Sequence, residues 1–457
     1  MATAAPQRRT PLPPKFVSGS ILRHILNMTA AGALGLMAVF IGDLANMYFL
    51  SLAGDQTVVA AVGYASSILF LSTSIGIGLS IAASALVSPA IGANLRARAR
   101  RLSAHAHVLA FAISAAFSLV LWLLIPNLLA LLGATGRTHA LAAHYLSILV
   151  PTLPLLAMGM ASTAVLRSVG DARRAMYVTM GAAIVNVLLD ILLILKLGWG
   201  IEGAAIASAV ARLAVMAIGL YGVIWVHDLM SRPKFATLAA DVRPFMKIAI
   251  PALLTNIATP AGNAYVTAAM APFGDGAVAG WAIVGRIMPV AFGAIYALSG
   301  VVGPIIGQNL GARLPDRMRG TLTQSLIVMA AFTAVAWLVL ALTAGPLASA
   351  FNATGEARDL IIFFCRWLSP LFVFLGAMFV ANAAFNTLGH PHYSTLLNWG
   401  RASLGTVPFV LAGSHLAGAE GALAGNMVGG IIFGVVSVIL AYRLIDRIGG
   451  RINTSLS

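Results

Sequence analysis

The sequence predicts an all-helical polytopic membrane protein of about twelve spans, arranged as two six-helix lobes. Three observations carry that prediction. Hydrophobic residues make up 60% of the 457-residue chain and charged residues only 9%, whereas soluble domains hold about a quarter of their residues as charged types. Apolar runs long enough for the ~20 residues a helix needs to cross a bilayer recur along the whole chain. Basic residues cluster in alternate connections between those runs, which is the positive-inside signature. The single cysteine, Cys365, excludes an intramolecular disulfide and any zinc site built from cysteines.

The elements follow in order. Residues 1–20, opening MATAAPQRRTPLPPKF, are rich in Pro and Arg and read as a disordered tail. The stretch 21–52 is too long for the core of a cleavable signal and reads as the first span. Further runs fall at about 57–90, 104–126, 141–165, 175–195, 202–226, 247–272, 276–306, 322–344, 359–384, 394–413 and 420–442. The longest polar interruption, 227–246, is the natural linker between an N-lobe at 21–226 and a C-lobe at 247–445, leaving 446–457 as a C-terminal tail.

An internal repeat supports this division. VSPAIGANL at 87–95 aligns with VGPIIGQNL at 302–310, and Gly54-Asp55 with Gly274-Asp275. Gly200, Glu202, Gly203 and Ala204 align with Gly418, Glu420, Gly421 and Ala422. Each half has an even number of spans, so the copies share an orientation and form a parallel repeat, with a cavity expected between two lobes.

The net charge of +15 orients the chain rather than binding nucleic acid. Of the 28 Lys and Arg, 21 fall in the tails and alternate loops of one side, three on the other side and four within spans. The rich side is expected to be cytoplasmic, with both termini there.

Of thirteen acidic residues, only Asp43 in the first span and Asp190 in the fifth lie well inside the bilayer. A carboxylate there costs several kcal/mol unless it pairs, hydrates or takes a proton. Both lie roughly 10–14 Å below the outer surface by helical rise. Asn186 lies one turn before Asp190 on the same face. Two carboxylates and an amide in one lobe suit a proton or a small hard cation such as Na⁺. The rival reading of each aspartate is an interhelical hydrogen-bonding residue. Under the repeat, Asp43 falls opposite Asn263 and Asp190 opposite Phe409, so only the N-terminal half keeps the acids.

Arg212, Arg286, Arg366 and Arg401 also lie within spans. Arg286 is the hardest to explain by snorkelling and joins Asn46 and Asn263 as a candidate for lining the substrate cavity. Pro151, Pro154, Pro260, Pro289, Pro370 and Pro408 are expected to mark kinks. No Gly-Lys pair exists, which excludes a phosphate-binding loop, and HExxH is absent. The pairs His105/His107 and His390/His392 read as solvated histidines rather than metal ligands.

The segments FIGDLANMYFLSLAGDQTVVAAVG, LVSPAIGANLRARARR, LRSVGDARRAMYVTMGAAIVNVLLDILLILKLGWGIEGAAIAS and GPIIGQNLGARLPDRMRG resemble the multidrug and toxic compound extrusion (MATE) family of secondary transporters. The resemblance covers about residues 20 to 445 and is more DinF-like than NorM-like. It implies export of hydrophobic, often cationic compounds in exchange for H⁺ or Na⁺, with Asp43, Asn186 and Asp190 holding the ion. The usual proline early in the first helix is missing, where the chain reads ILNMTAAGALG. No metal, cofactor or nucleic acid is expected, and the protein is expected to act as a monomer in a bacterial inner membrane. A lipid or lipid-precursor flippase of related architecture is the alternative. An intramembrane aspartyl enzyme is a distant third, since no GxGD motif is present.

Overall fold

The computed structural model describes residues 14–52 and 56–454, and every regular element among them is helical. The reason is elementary: in hydrocarbon each backbone N–H and C=O must be satisfied within its own segment. The rods are α1 (Ile21–Leu52), α2 (Gln56–Gly92) and α3 (Arg96–Leu131). Next come α4 (Gly136–Val169), α5 (Ala172–Lys196) and α6 (Gly200–Val226). The second half opens with α7 (Phe235–Met270), then α8, in which Asp275–Ala291 bends by 52° into Gly293–Gly311. It continues with α9 (Pro315–Ala350) and α10 (Gly355–Thr387). The run Pro391–Thr454 breaks at Ala417 and Gly418, the latter with φ 57°, into α11 (391–416) and α12 (419–454).

Prolines mark breaks at matching places in the two halves. Pro151 sits in a tight 3₁₀ turn, Val150–Thr152, within α4, and Pro370 in the turn Ser369–Leu371 within α10. Pro289 comes just before the bend of α8. Pro260 leaves α7 helical throughout. Gly170, at φ 87°, ends α4 in the left-handed conformation. Asp171 then caps α5 by accepting the amide of Arg174 at 3.1 Å.

Three expected boundaries shift. The linker shortens to 227–234, because 235–246 already belongs to α7 and buries Phe245 against Ile75, Leu79 and Leu109. The C-terminal tail is helical to Thr454. The N-terminal tail is ordered from residue 14, and residues 1–13 lie outside the described residues. So does the Gly54-Asp55 pair of the repeat.

That ordered segment bridges the lobes at the basic end, the end that carries both termini. Phe16 is fully buried. Its amide donates to Gln308 Oε1 at 2.8 Å, and its carbonyl accepts from Arg317 at 2.8 Å. Lys15 Nζ reaches the carbonyl of Gly170 at 2.8 Å on the N-lobe side. Gln308 completes the tie by donating to the Ser168 carbonyl at 2.7 Å.

Beneath this strap the lobes meet backbone to backbone. A Cβ on Gly92 would collide with the carbonyl of Gln308, and one on Gly311 with that of Pro89. Both residues fall in or directly after the repeated motif, so the duplicated segments seal the seam with their smallest residues. Met37 and Phe40 of α1 pack on Gly293 at the bend of α8. Beyond that level α1 turns Asp43, Leu44, Met47 and Tyr48 to open space, and α7 does the same with Asn263, Ala264 and Thr267. The lobes are therefore sealed together at the basic end, and toward the opposite end these polar positions of α1 and α7 are exposed.

Candidate functional site

The acid chamber is built where α1 lies along α5. Gly35 and Gly42 let the two backbones approach, at Thr179 and at Ala183 and Val187 respectively. The next turn of each helix then brings polar residues together. Asn46 Nδ2 donates to Asp190 Oδ2 at 3.0 Å, joining the two helices. Asp190 is fully buried, and its other oxygen, Oδ1, has no hydrogen-bond partner. The helix changes to π-type winding immediately afterwards, over Ile191–Lys196, a distortion that concentrates at functional positions.

Asn186, one turn deeper, donates to Ser208 Oγ of α6 at 3.5 Å. Ser208 also bonds the Tyr145 hydroxyl, which lies in the field of Asp43, Asp190 and Arg212. Arg212 is anchored on α4 by the Leu149 carbonyl at 2.7 Å and Thr152 Oγ1 at 2.9 Å. Asp43 is exposed and makes no hydrogen bond or ion pair among the described residues. The chamber thus holds one open carboxylate and one buried carboxylate behind an amide.

Sequence reasoning placed Asp43, Asn186 and Asp190 in one lobe, and the structure brings them to the same chamber. Asn46, expected as a cavity residue, is joined to this cluster as the partner of Asp190. Tyr145 and Ser208 were missed; a lone hydroxyl in an apolar run carries no signal until its neighbours are known. Asn263 is exposed on α7. Arg286 lies elsewhere than expected: it lines an apolar cavity of about 510 Å³ between α8 and α9, with Phe332 and Val339 among the wall residues, within one lobe rather than between two. The physical reason is the bend at Phe292, which swings the outer half of α8 away from α9.

One histidine pair differs from expectation, while His392 is exposed and His390 partly so. His105 and His107 are buried rather than solvated. His105 Nδ1 meets Asp241 at 2.7 Å, and His107 bridges the Ser103 carbonyl and Ser162 Oγ. No group of three or more potential metal ligands occurs among the described residues.

At the basic end Asp171 gathers His227 at 2.8 Å and Arg174 at 2.6 Å. Partial burial pushes its carboxyl up, but the hydrogen bonds from His227 and Arg174 outweigh that and hold it well below the usual carboxylate range. Asp228 ties Arg96 and Arg100 at 3.4 and 3.1 Å, so the linker is held to α3 and α5 by charge.

Comparison with known proteins agrees with the duplicated fold. The MatE family model matches twice, over residues 32–192 and 251–411. An FAD transporter of Shewanella oneidensis is 30% identical over 439 residues, covering 95% of this chain and 97% of that protein. The multidrug export protein MepA of Staphylococcus aureus is 19% identical, with 95% of this chain and 96% of that one covered. Among solved structures, a mutant of the Vibrio cholerae MATE transporter VcmN superposes with TM-score 0.88 at 27% identity, covering 93% of this chain and 96% of its own. A multidrug resistance MATE family transporter in an outward-facing conformation superposes with TM-score 0.87 at 20% identity, covering 96% and 99%. With its two matched halves and twelve-helix, two-lobed architecture, the chain belongs to the MATE family of membrane transporters and is an efflux transporter.

Proposed function

We propose that the protein exports amphiphilic small molecules in exchange for protons by alternating access, with Asp43, Asn46, Asn186 and Asp190 as the ion site. One observation carries the reading: Asp190 is fully buried, with one oxygen on Asn46 and the other without a donor. A carboxylate so placed is stabilised by taking a proton or a small cation. Asp43, exposed at the mouth, is the group that first exchanges with the aqueous side, and Asn46 passes the effect inward to Asp190. Na⁺ is the competing ion, since the chamber offers oxygen ligands only.

By the positive-inside rule the basic end is cytoplasmic, and the open cleft then faces outward across a bacterial inner membrane. Protons entering from outside neutralise the acids and displace a bound compound. The neutral chamber tolerates closure of the outer cleft, the seam of Gly92 and Gly311 parts, and release of the proton inside resets the site. Each net charge moved draws about 2.3 kcal/mol from every 100 mV of membrane potential. The absence of acids from 247–272 and 360–384 favours coupling in the N-lobe. A relative named for FAD supports substrates with a large aromatic body, and one named for multidrug export supports a broad substrate range. One chain contains both lobes and the whole chamber, which supports action as a monomer.

The test is efflux of ethidium and of FAD from proteoliposomes under an imposed pH gradient, with and without Na⁺. Wild-type efflux driven by the pH gradient and lost in both Asp43→Asn and Asp190→Asn is the expected result. Full gradient-driven efflux in both variants overturns the assignment of the site.

A second reading, movement of an anionic lipid, is favoured by the Arg286 cavity, in which a single cation stands in an apolar wall. It predicts that efflux of soluble compounds is absent while labelled anionic lipid crosses the bilayer.

A further inference from the structure

The two lobes are copies, yet their interiors carry opposite charge. The N-lobe chamber is acidic. In the C-lobe the matching positions are Asn263 and Phe409, neither of which ionises. Eight residues before Phe409 on α11, about 12 Å along the axis, stands Arg401. It is only 8% exposed. One terminal nitrogen donates to Thr259 Oγ1 of α7 at 3.2 Å, and its Nε is buried without any acceptor. Tyr296 of α8 lies within its electrostatic reach.

The chain supplies no counter-charge. The acids of the C-terminal half, Asp241, Asp275, Asp316, Glu356, Asp359, Glu420 and Asp446, sit at or near helix ends, and Asp241 is taken by Arg101 and His105. No ion pair joins any of them to Arg401 among the described residues. An uncompensated guanidinium within a lobe is costly, and its planar fork of donors fits phosphate or carboxylate better than any neutral partner.

The surroundings suit an aromatic anion. Tyr296 and Phe379 are both partly exposed, with ring centroids 5.3 Å apart. Behind them Phe372 stacks on Phe292, centroids 3.9 Å apart, at the bend of α8. Tyr296 is thus shared between the aromatic pair and the electrostatic surroundings of Arg401.

We propose that Arg401, with Thr259 and Tyr296, forms an anion subsite in the C-lobe that takes the phosphate or carboxylate of a planar aromatic compound. This rests on the export reading for its physiological meaning, but binding can be tested without transport. The substrate class it adds is the aromatic anion or zwitterion, alongside cationic compounds attracted by the acids of the N-lobe.

The experiment measures binding of flavin mononucleotide and of riboflavin, which share a ring system and differ by a phosphate, to full-length protein in phosphatidylcholine nanodiscs. In Arg401→Gln the affinity for flavin mononucleotide is expected to fall by about tenfold to a hundredfold, the loss of one charge-assisted pair, with riboflavin unchanged. Arg401→Lys should fall in between. Should Arg401→Gln fail to fold, Thr259→Val and Tyr296→Phe test the same subsite through its neutral members, each weakening the nucleotide selectively. A parallel arm compares retention of phosphatidylglycerol by wild type and variant during purification. Loss of that lipid in Arg401→Gln, with flavin mononucleotide unaffected, overturns the aromatic subsite and assigns the guanidinium to a lipid headgroup instead. Equal loss of both flavins, or no change in either flavin or lipid, overturns the subsite. Failure here with intact proton-driven ethidium efflux leaves the transport reading standing, and the converse isolates a failure of coupling.

Discussion

Substituting the seam glycines should open the basic end of the transporter. At Gly311 an added Cβ would lie 2.8 Å from the amide nitrogen of Ala93 and closer still to the Pro89 carbonyl. At Gly92 it would lie 2.5 Å from the carbonyl carbon of Gln308. In both cases the obstacle is backbone of the opposite lobe, which cannot swing aside as a side chain does. Relief requires the lobes to separate. Overpacking of one methyl costs about 1–3 kcal/mol, and the cost falls only on the sealed state. Gly311→Ala should therefore shift the conformational equilibrium toward the parted seam by about 5- to 150-fold. The assay is the distance between spin labels on Arg98→Cys and Asp316→Cys, both exposed at the basic end, in a Cys365→Ser background. Gly311→Ala and Gly92→Ala should each broaden or lengthen the distribution, and Gly450→Ala, which meets open space, should not. An unchanged distribution in both seam variants, in folded protein, would refute the argument that this contact holds the cleft in its present state.

Other perturbations follow from the same contacts. Phe16→Ala removes a ring buried between the lobes; Phe→Ala losses in cores run about 3–5 kcal/mol, so the same label pair should report a parted seam while Lys15→Ala, which loses one carbonyl contact, has the smaller effect. Asp171→Asn should lower the thermal midpoint at neutral pH, because a carboxyl held below its ordinary range contributes stability above that range and loses it only as pH falls through the depressed value. The offset between wild type and Asp171→Asn in thermal melts should accordingly persist from neutral pH into mild acid and shrink only in stronger acid. Asp190→Asn, tested by proteoliposome efflux, should abolish gradient-driven transport more completely than Ser208→Ala, which touches the chamber only through Asn186 and Tyr145.

Hydropathy located the helical rods because lipid imposes one requirement on every span, an apolar surface over an internally satisfied backbone. The first span, 21–52, coincides with α1. The charge bias, the duplication and the intramembrane acids were equally open to reading, since each is a property of residue type and order. Asp43 and Asp190 stood out because so few acids lie within spans. Their surroundings did not. That Asn46 rather than Asp43 holds Asp190, and that Tyr145 and Ser208 complete the wall, depends on how α1 and α6 are rotated against α5.

The order of the tail from residue 14 was hidden for a related reason. MATAAPQRRTPLPPKF has the composition of a disordered segment, and only the groove between Gly170 and Gln308 gives Phe16 a place to bury. The bend of α8 was equally silent, because Pro289 leaves open whether a helix kinks or merely bears the loss of a hydrogen bond, as Pro260 does in α7. Residue type and order therefore determined that this chain spans a membrane as two like-oriented lobes with acids in the first. Tertiary contact decided which end of the lobe interface is sealed, which carboxylate is buried, and that Arg401 stands in the second lobe without a counter-charge, because each depends on distances between residues far apart in the chain.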